Sequence, residues 1–262
     1  RFLAMPLRSA PLTLELRHAF TIANHSRTTT PAVIVEFEHE GVIGYGEAAM
    51  PPYLGESQAS VAAFLARIDP ALLANPFLLE DILPAIDALA PGNTAAKAAV
   101  DIALHDWVGQ RLGAPWHRIW GLDPAKAPVT SFTIGIDTVE GTAAKVRRAA
   151  GYRVLKVKVG GAADLERLEA VRAGFDGPIR IDGNEGWDIE IARAITPDLL
   201  RLGVEFVEQP FHRDDVDAYR AYRELPQRLP VILDESCQDA HDVPQCAALG
   251  DGVNIKIAKT GG

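Results

Sequence analysis

Cysteine is nearly absent: Cys237 and Cys246 are the two in 262 residues, and they form no Cys-x-x-Cys pair. That excludes a disulfide framework and a thiolate zinc site, and makes a reducing, cytoplasmic location the expectation. A basic surplus is also missing. The formal net charge is -9, which leaves nothing to neutralise phosphates and excludes nucleic acid as the main partner. No apolar run is long enough to span a bilayer and no signal-peptide pattern occurs, so no membrane partner is expected. Gly160-Gly161 lacks the surroundings of a phosphate-binding loop, which removes support for nucleotide binding. What remains is ordinary globular composition, 48% hydrophobic and 23% charged, with enough chain for a large core or two domains. Nothing in it settles the oligomeric state, and a homo-oligomer stays open.

The chain reads as two parts, residues 1–126 and 127–262. In the first, Leu12–Glu47 has antiparallel strand character: Ala32–Phe37 is β-rich, and Gly41–Gly46 returns after the turn at His39-Glu40-Gly41. Ser57–Ile68 and Ala95–Leu112 read as helices, the second begun at Asn93 or Thr94 and stopped by Gly113 with Pro115 beyond. From Val129 the rhythm changes to short apolar strands separated by amphipathic stretches such as Leu165–Ala173 and Ile189–Leu202. The strands are Ser131–Ile136, Val154–Val159, Ile179–Asp182, Glu205–Glu208, Val231–Asp234 and Val253–Ile257. This alternation means βαβ units and a parallel sheet. A doubly wound sheet and a TIM-type barrel both satisfy it. The barrel is preferred because polar residues end so many successive strands, which is where barrel enzymes place their chemistry. The fold class expected is therefore α/β, a modified (β/α)8 barrel with an N-terminal α+β capping domain. Six strands fall within residues 1–262 where closure requires eight, so the chain is expected to continue for roughly 60–90 residues, two strand–helix units at normal barrel size.

Asp182, Glu208 and Asp234 end three consecutive strands. Neighbouring strands lie about 4.8 Å apart, so three acids at matching heights converge, and without a cation they would repel one another. A hard divalent ion with an all-oxygen shell, Mg²⁺, resolves this. Alternation along Leu155–Val159 puts Lys156 and Lys158 on one face, into the barrel. There, burial and a nearby metal push a lysine toward general-base use. On the sixth strand Asn254 and Lys256 share a face. Strands two and six of an eight-stranded barrel are opposed, so Lys158 and Lys256 would flank a substrate, one removing a proton and the other returning it from the opposite side. That arrangement points to racemisation or epimerisation rather than elimination. Lys256 can also be read as an ion partner of Asp234 or Glu235. A Schiff-base aldolase, which also uses strand lysines, is the competing enzyme class; the carboxylate triad argues against it.

Lys156-Val157-Lys158, Asp182-Gly183-Asn184, Glu208-Gln209-Pro210, Asp234-Glu235-Ser236 and Asn254-Ile255-Lys256, in this order and spacing, closely resemble the enolase superfamily, muconate-lactonising-enzyme subgroup. The resemblance implies Asp182, Glu208 and Asp234 as Mg²⁺ ligands, Lys158 and Lys256 as the acid/base pair, and Lys156 as an electrostatic helper beside the substrate carboxylate. It implies proton abstraction next to that carboxylate through a metal-stabilised enolate. Thr130–Asp137 resembles the first barrel strand of dipeptide epimerases of the L-Ala-D/L-Glu type, with Thr133 as a substrate contact. Pro52–Ser57 and Phe20–Arg27 resemble their specificity loops. The implied substrate is a small carboxylate, a dipeptide, with muconate cycloisomerisation, o-succinylbenzoate synthesis and N-acylamino-acid racemisation as alternatives. The resemblance also implies an Asp-x-Asp pair beyond Gly262. Gly183 and Glu185 depart from the alanine and glutamine that relatives often carry.

Overall fold

The structure, a computed structural model, describes residues 6–262. The chain folds into two compact units. One holds the chain up to Glu15, Thr29–Ala127 and Lys256–Gly262; the other holds Leu16–Thr28 and Pro128–Ile255. Strands β1 (Leu7–Ile22), β2 (His25–His39) and β3 (Val42–Ala49) form an antiparallel sheet in that order. The β2–β3 turn has φ of 50° at Glu40 and 76° at Gly41, the two positive values that a tight hairpin turn demands. The expected hairpin is thus present, with longer strands than the apolar pattern marked.

Helices α1 (Gln58–Leu65), α2 (Leu79–Asp87), α3 (Thr94–Leu112) and α4 (Trp116–Ile119) complete the first unit. Alternation buries Val33, Val35 and Phe37 of β2 on one face. On β3, Gly44 and Gly46 let the strand lie directly on α3. A Cβ on Gly46 would stand 1.9 Å from the Ala99 carbonyl, and one on Gly44 would stand 2.1 Å from that of Ala103.

The second unit is the β/α barrel portion. Its strands β4 (Ser131–Ile134), β5 (Val154–Lys158), β6 (Ile179–Asp182), β7 (Val204–Glu208), β8 (Val231–Leu233) and β9 (Gly252–Val253) form one parallel sheet in chain order. Between them run α5 (Val139–Arg148), α6 (Asp164–Gly174), α7 (Ile189–Arg201), α8 (Val216–Arg223) and α9 (Val243–Leu249). Leu155, Val157, Ile179, Ile181, Val207, Val231 and Leu233 form the centre of its core, as the continuous apolar character of these strands requires in a sheet covered by helices. One strand differs from expectation. Val253–Ile257 alternates like a strand, but the ladder stops at Val253, and Lys256 is the residue before the short helix α10 (Ile257–Thr260). Among the described residues no helix is long and apolar enough to cross a membrane.

Candidate active site

The ladder registers set the site. Lys158 pairs with Asp182, and Asp182 with Glu208, so three chemically active side chains leave neighbouring strands at one height. Glu208 pairs with Ile232, which puts Asp234 two residues on, on the same face. All three acids and Lys158 are buried. Lys156 Nζ lies 2.8 Å from Asp182 and 2.7 Å from Glu208. Lys158 Nζ lies 2.7 Å from the same Asp182 oxygen and donates to Asn184 Oδ1 at 2.8 Å. Asn254, just past β9, donates to Glu208 at 2.9 Å.

Residues beyond the predicted set hold this cluster. Asn184 Nδ2 donates to Glu235 at 3.2 Å while its Oδ1 accepts from Lys158, so one amide links a lysine to a buried acid. Gln209, fully buried, accepts from the backbone N–H groups of Asp234 at 2.8 Å and Ser236 at 3.2 Å. It also donates to Ser236 Oγ and Tyr219, which fixes the start of the loop that carries Asp234. Asn184, Glu185 and Gln209 all have positive φ (44°, 64° and 37°). Non-glycine residues adopt that conformation at some cost, and such strain collects at functional sites. The sequence signal for these roles is their place within three residues after the strand-end acids Asp182 and Glu208. Glu185 accepts from the Arg213 backbone and side chain at 2.9 and 3.0 Å.

The electrostatics are those of an acid excess. Burial opposes the charge on Lys156, but Asp182 and Glu208 outweigh it and hold the ammonium above the ordinary lysine range. Asp182 is buried too, and the two lysines draw it below the usual carboxylate range. Glu208 goes the other way, raised by burial and then by Asp182 and Asp234. Glu235 is pushed up to about 7 by burial, then by Asp234 and Asp182. Four acids thus stand against two lysines. Adding the Glu185–Arg213 pair leaves that excess unchanged. Among the described residues no three Asp, Glu, His or Cys side chains stand ready to hold a metal as they are; Lys156 bridges Asp182 and Glu208 instead. The donor set is nevertheless all-oxygen and over-supplied with negative charge, which suits a hard divalent cation.

Thr133 pairs with Lys156 in the β4–β5 ladder and lines a cavity of about 490 Å³. Arg17, Arg27 and Arg148 give its lining positive charge, while Lys145, also in the lining, is paired with Asp137 at 2.8 Å. The 16–28 hairpin tip packs within this unit. Asn24 donates to the Asn184 carbonyl at 3.0 Å, and the Thr21 carbonyl accepts from the Ile136 N–H at 2.8 Å. Lys256 belongs to the other unit, where its Nζ stands 3.2 Å from the Tyr53 hydroxyl.

A parallel β/α barrel sheet with lysines and carboxylates at the ends of its strands, in a chain that also carries an N-terminal α+β unit, defines an enzyme of the enolase type. Residues 9–121 match the family model "Mandelate racemase / muconate lactonizing enzyme, N-terminal domain", and residues 139–262 match "Enolase C-terminal domain-like". An L-Ala-D/L-Glu epimerase of Bacteroides thetaiotaomicron is 48% identical over 98% of this chain and 68% of its own length. An N-succinyl-L-Arg/Lys racemase of Bacillus cereus is 36% identical over 95% and 71%. The crystal structure of a dipeptide epimerase from Enterococcus faecalis V583, complexed with Mg and the dipeptide L-Leu-L-Tyr, is 32% identical. It superposes with a TM-score of 0.86 over 98% of this chain and 75% of that one. The chain belongs to the mandelate racemase/muconate lactonizing enzyme family of the enolase superfamily and is an enzyme of the racemase and epimerase kind.

Proposed function

We propose that this chain is a Mg²⁺-dependent dipeptide epimerase of the L-Ala-D/L-Glu type, using Lys158 and Lys256 to move the α-proton of the C-terminal residue. The observation that carries the reading is Lys158, a buried lysine held by Asp182 and Asn184 at the end of β5. Such a lysine has a fixed direction and a water-poor setting, both of which favour proton transfer to or from carbon. Asp182, Glu208 and Asp234 would hold the ion. When bound, the ion would neutralise the acid excess and stabilise the negative charge left on a substrate carboxylate as its α-proton leaves. Lys156 would then turn from bridging Asp182 and Glu208 to facing that carboxylate. Lys256, on the opposite face in this reading, would return the proton. The basic cavity beside Thr133 supports a substrate with an anionic side chain, since Arg17, Arg27 and Arg148 give it positive charge. The relatives that act on dipeptides support the same class.

The test is α-proton exchange in D₂O, followed by ¹H NMR, with Mg²⁺ and with L-Ala-L-Glu or L-Ala-D-Glu. The wild-type chain should exchange the C-terminal residue's α-proton and interconvert the epimers, and Lys158→Ala should lower interconversion by about 10²–10⁴-fold. Undiminished interconversion of the epimers in Lys158→Ala, undiminished exchange of both epimers there, or undiminished exchange in excess chelator refutes the mechanism. Exchange with N-succinyl amino acids and none with dipeptides would move the substrate class to that of the Bacillus cereus relative.

A further inference from the structure

Tyr53 lies on a one-turn 3₁₀ segment, Pro52–Leu54, that ends at Gly55 in the left-handed conformation. Glu56 fastens this loop. Its carboxylate accepts from the backbone N–H groups of Ala95 at 2.9 Å and Ala96 at 3.4 Å. These are orphan donors of the first turn of α3, and Asn93 offers no side-chain cap to them. Ser57 closes a capping box with Ser60 immediately afterwards. The loop that carries Tyr53 is therefore tied at both sides of Glu56, to α3 and to α1.

Lys256 is held by the same helix from another direction. Helix α10, which begins after Lys256, packs on α3. Lys259 is buried, and a Cβ on Gly261 would stand 3.5 Å from that of Lys97. One scaffold thus presents both Tyr53 and Lys256. The two side chains meet: Nζ is 3.2 Å from the phenol oxygen and 5.4 Å from the ring centroid. The hydroxyl accepts from the ammonium, which lies off the hydroxyl end of the ring. A flexible four-carbon stem has many rotamers, and a hydrogen bond to a tyrosine on a fastened loop narrows them.

We infer that Tyr53 is a positioning residue for Lys256. It holds the ammonium in one direction, so that Lys256 works on one face of the substrate while Lys158 works on the other. The inference rests on the reading of these two lysines as the acid/base pair. It makes Tyr53 matter to one half of the reaction only, which a merely structural role does not.

Two measurements test it. In D₂O, with each substrate epimer supplied separately, Tyr53→Phe should slow exchange of the epimer that Lys256→Ala also fails to exchange, by about tenfold, the scale of one hydrogen bond to a charged group. The other epimer should exchange within about twofold of wild type, with KM within about twofold for both, limits set well below that tenfold effect. Tyr53→Leu, lacking hydroxyl and ring, should lose more on the same face. Equal slowing of both epimers, or a loss confined to KM, overturns the inference. The second measurement needs no substrate. The rate at which an acetylating reagent labels the Lys256 amine, read by peptide mass spectrometry against Lys126 as internal reference, should rise severalfold in Tyr53→Phe. An unchanged labelling ratio overturns the inference whatever the enzyme's substrate is. Wild-type chain that exchanges no dipeptide while the labelling ratio still rises would overturn the proposed function and leave Tyr53's grip on Lys256 standing.

Discussion

Lys156→Met removes a charge while roughly keeping volume, and the structure sets what should follow. Lys156 Nζ bridges Asp182 and Glu208 at 2.8 and 2.7 Å, and the side chains of those acids are 1% and 5% exposed. Taking one partner from a buried ionic cluster typically costs about 3–5 kcal/mol, because the remaining charge stays desolvated. Here Lys158 still contacts Asp182 and Asn254 still donates to Glu208, so the low end, about 3 kcal/mol, is the reasoned value. For a chain of this size, that is a fall in melting temperature of roughly 6–12 °C in chelator, at about 2–4 °C per kcal/mol. Mg²⁺ should then restore more in the variant than in the wild type, since no ammonium competes for the carboxylates. A ligand at about 100 times its Kd stabilises by about 2.7 kcal/mol. The deficit should also shrink toward low pH. Glu208 is already raised by burial, Asp182 and Asp234, and it relieves the cluster by taking up a proton. Calorimetric melts in chelator and in excess MgCl₂, at several pH values, measure all three. Equal melting temperatures in chelator together with equal Mg²⁺ increments would refute the view of Lys156 as the cation's stand-in.

Two further outcomes concern the N-terminal unit. Gly46→Ala should cost at least about 3 kcal/mol, the upper range for overpacking, because its Cβ would meet the Ala99 carbonyl at 1.9 Å, and backbone on a helix cannot give way. Gly41→Ala, with open space but φ of 76°, should cost only about 1–2 kcal/mol; urea midpoints that rank the two the other way would refute the packing account. His105 is raised by its hydrogen bond to the Asp101 carboxylate, with burial opposing. A raised folded-state value means that its stabilisation is fully present below about pH 6.5, the ordinary histidine value, and is lost as pH rises through the folded-state value. The stability gap between wild type and His105→Gln should therefore be widest below about pH 6.5 and narrow as pH rises through the raised folded-state value, and a gap independent of pH would show that the pair is not charged.

The fold class was legible because its two signals are local. Strand–helix alternation after Val129 marks βαβ units, and the six parallel strands stand in the sheet in chain order. The pairing of Asp182 with Glu208 in register follows from a similar regularity: each acid is the last residue of its strand. Less legible was everything that depends on a side chain's second partner. Gln209 looks in sequence like the residue after an acid, yet its amide organises the backbone at Asp234 and Ser236. Gly44 and Gly46 look like weak positions in a strand, yet they are what admits α3 against β3. Nor does periodicity reveal that the tip of the first hairpin, Leu16–Thr28, groups with the barrel portion rather than with its own sheet.

Lys256 shows why alternation overreaches. Asn254-Ile255-Lys256-Ile257 alternates polar and apolar residues, and Lys256 does have extended backbone, with φ of -126° and ψ of 130°. But alternation reports only which way side chains point, and a strand also needs a ladder. The last ladder bonds are those of Gly252 and Val253 to β8, with the Asn254 N–H reaching the Leu233 carbonyl at 2.7 Å. Past these bonds the backbone turns into α10, which packs on α3, and the Lys256 ammonium meets the Tyr53 hydroxyl at 3.2 Å. A base set on a strand end, as Lys158 is, inherits its direction from the sheet. Lys256 stands past the last of these ladder bonds, where Tyr53 contributes to its direction, and the effect of Tyr53 should therefore fall on one face of the reaction alone.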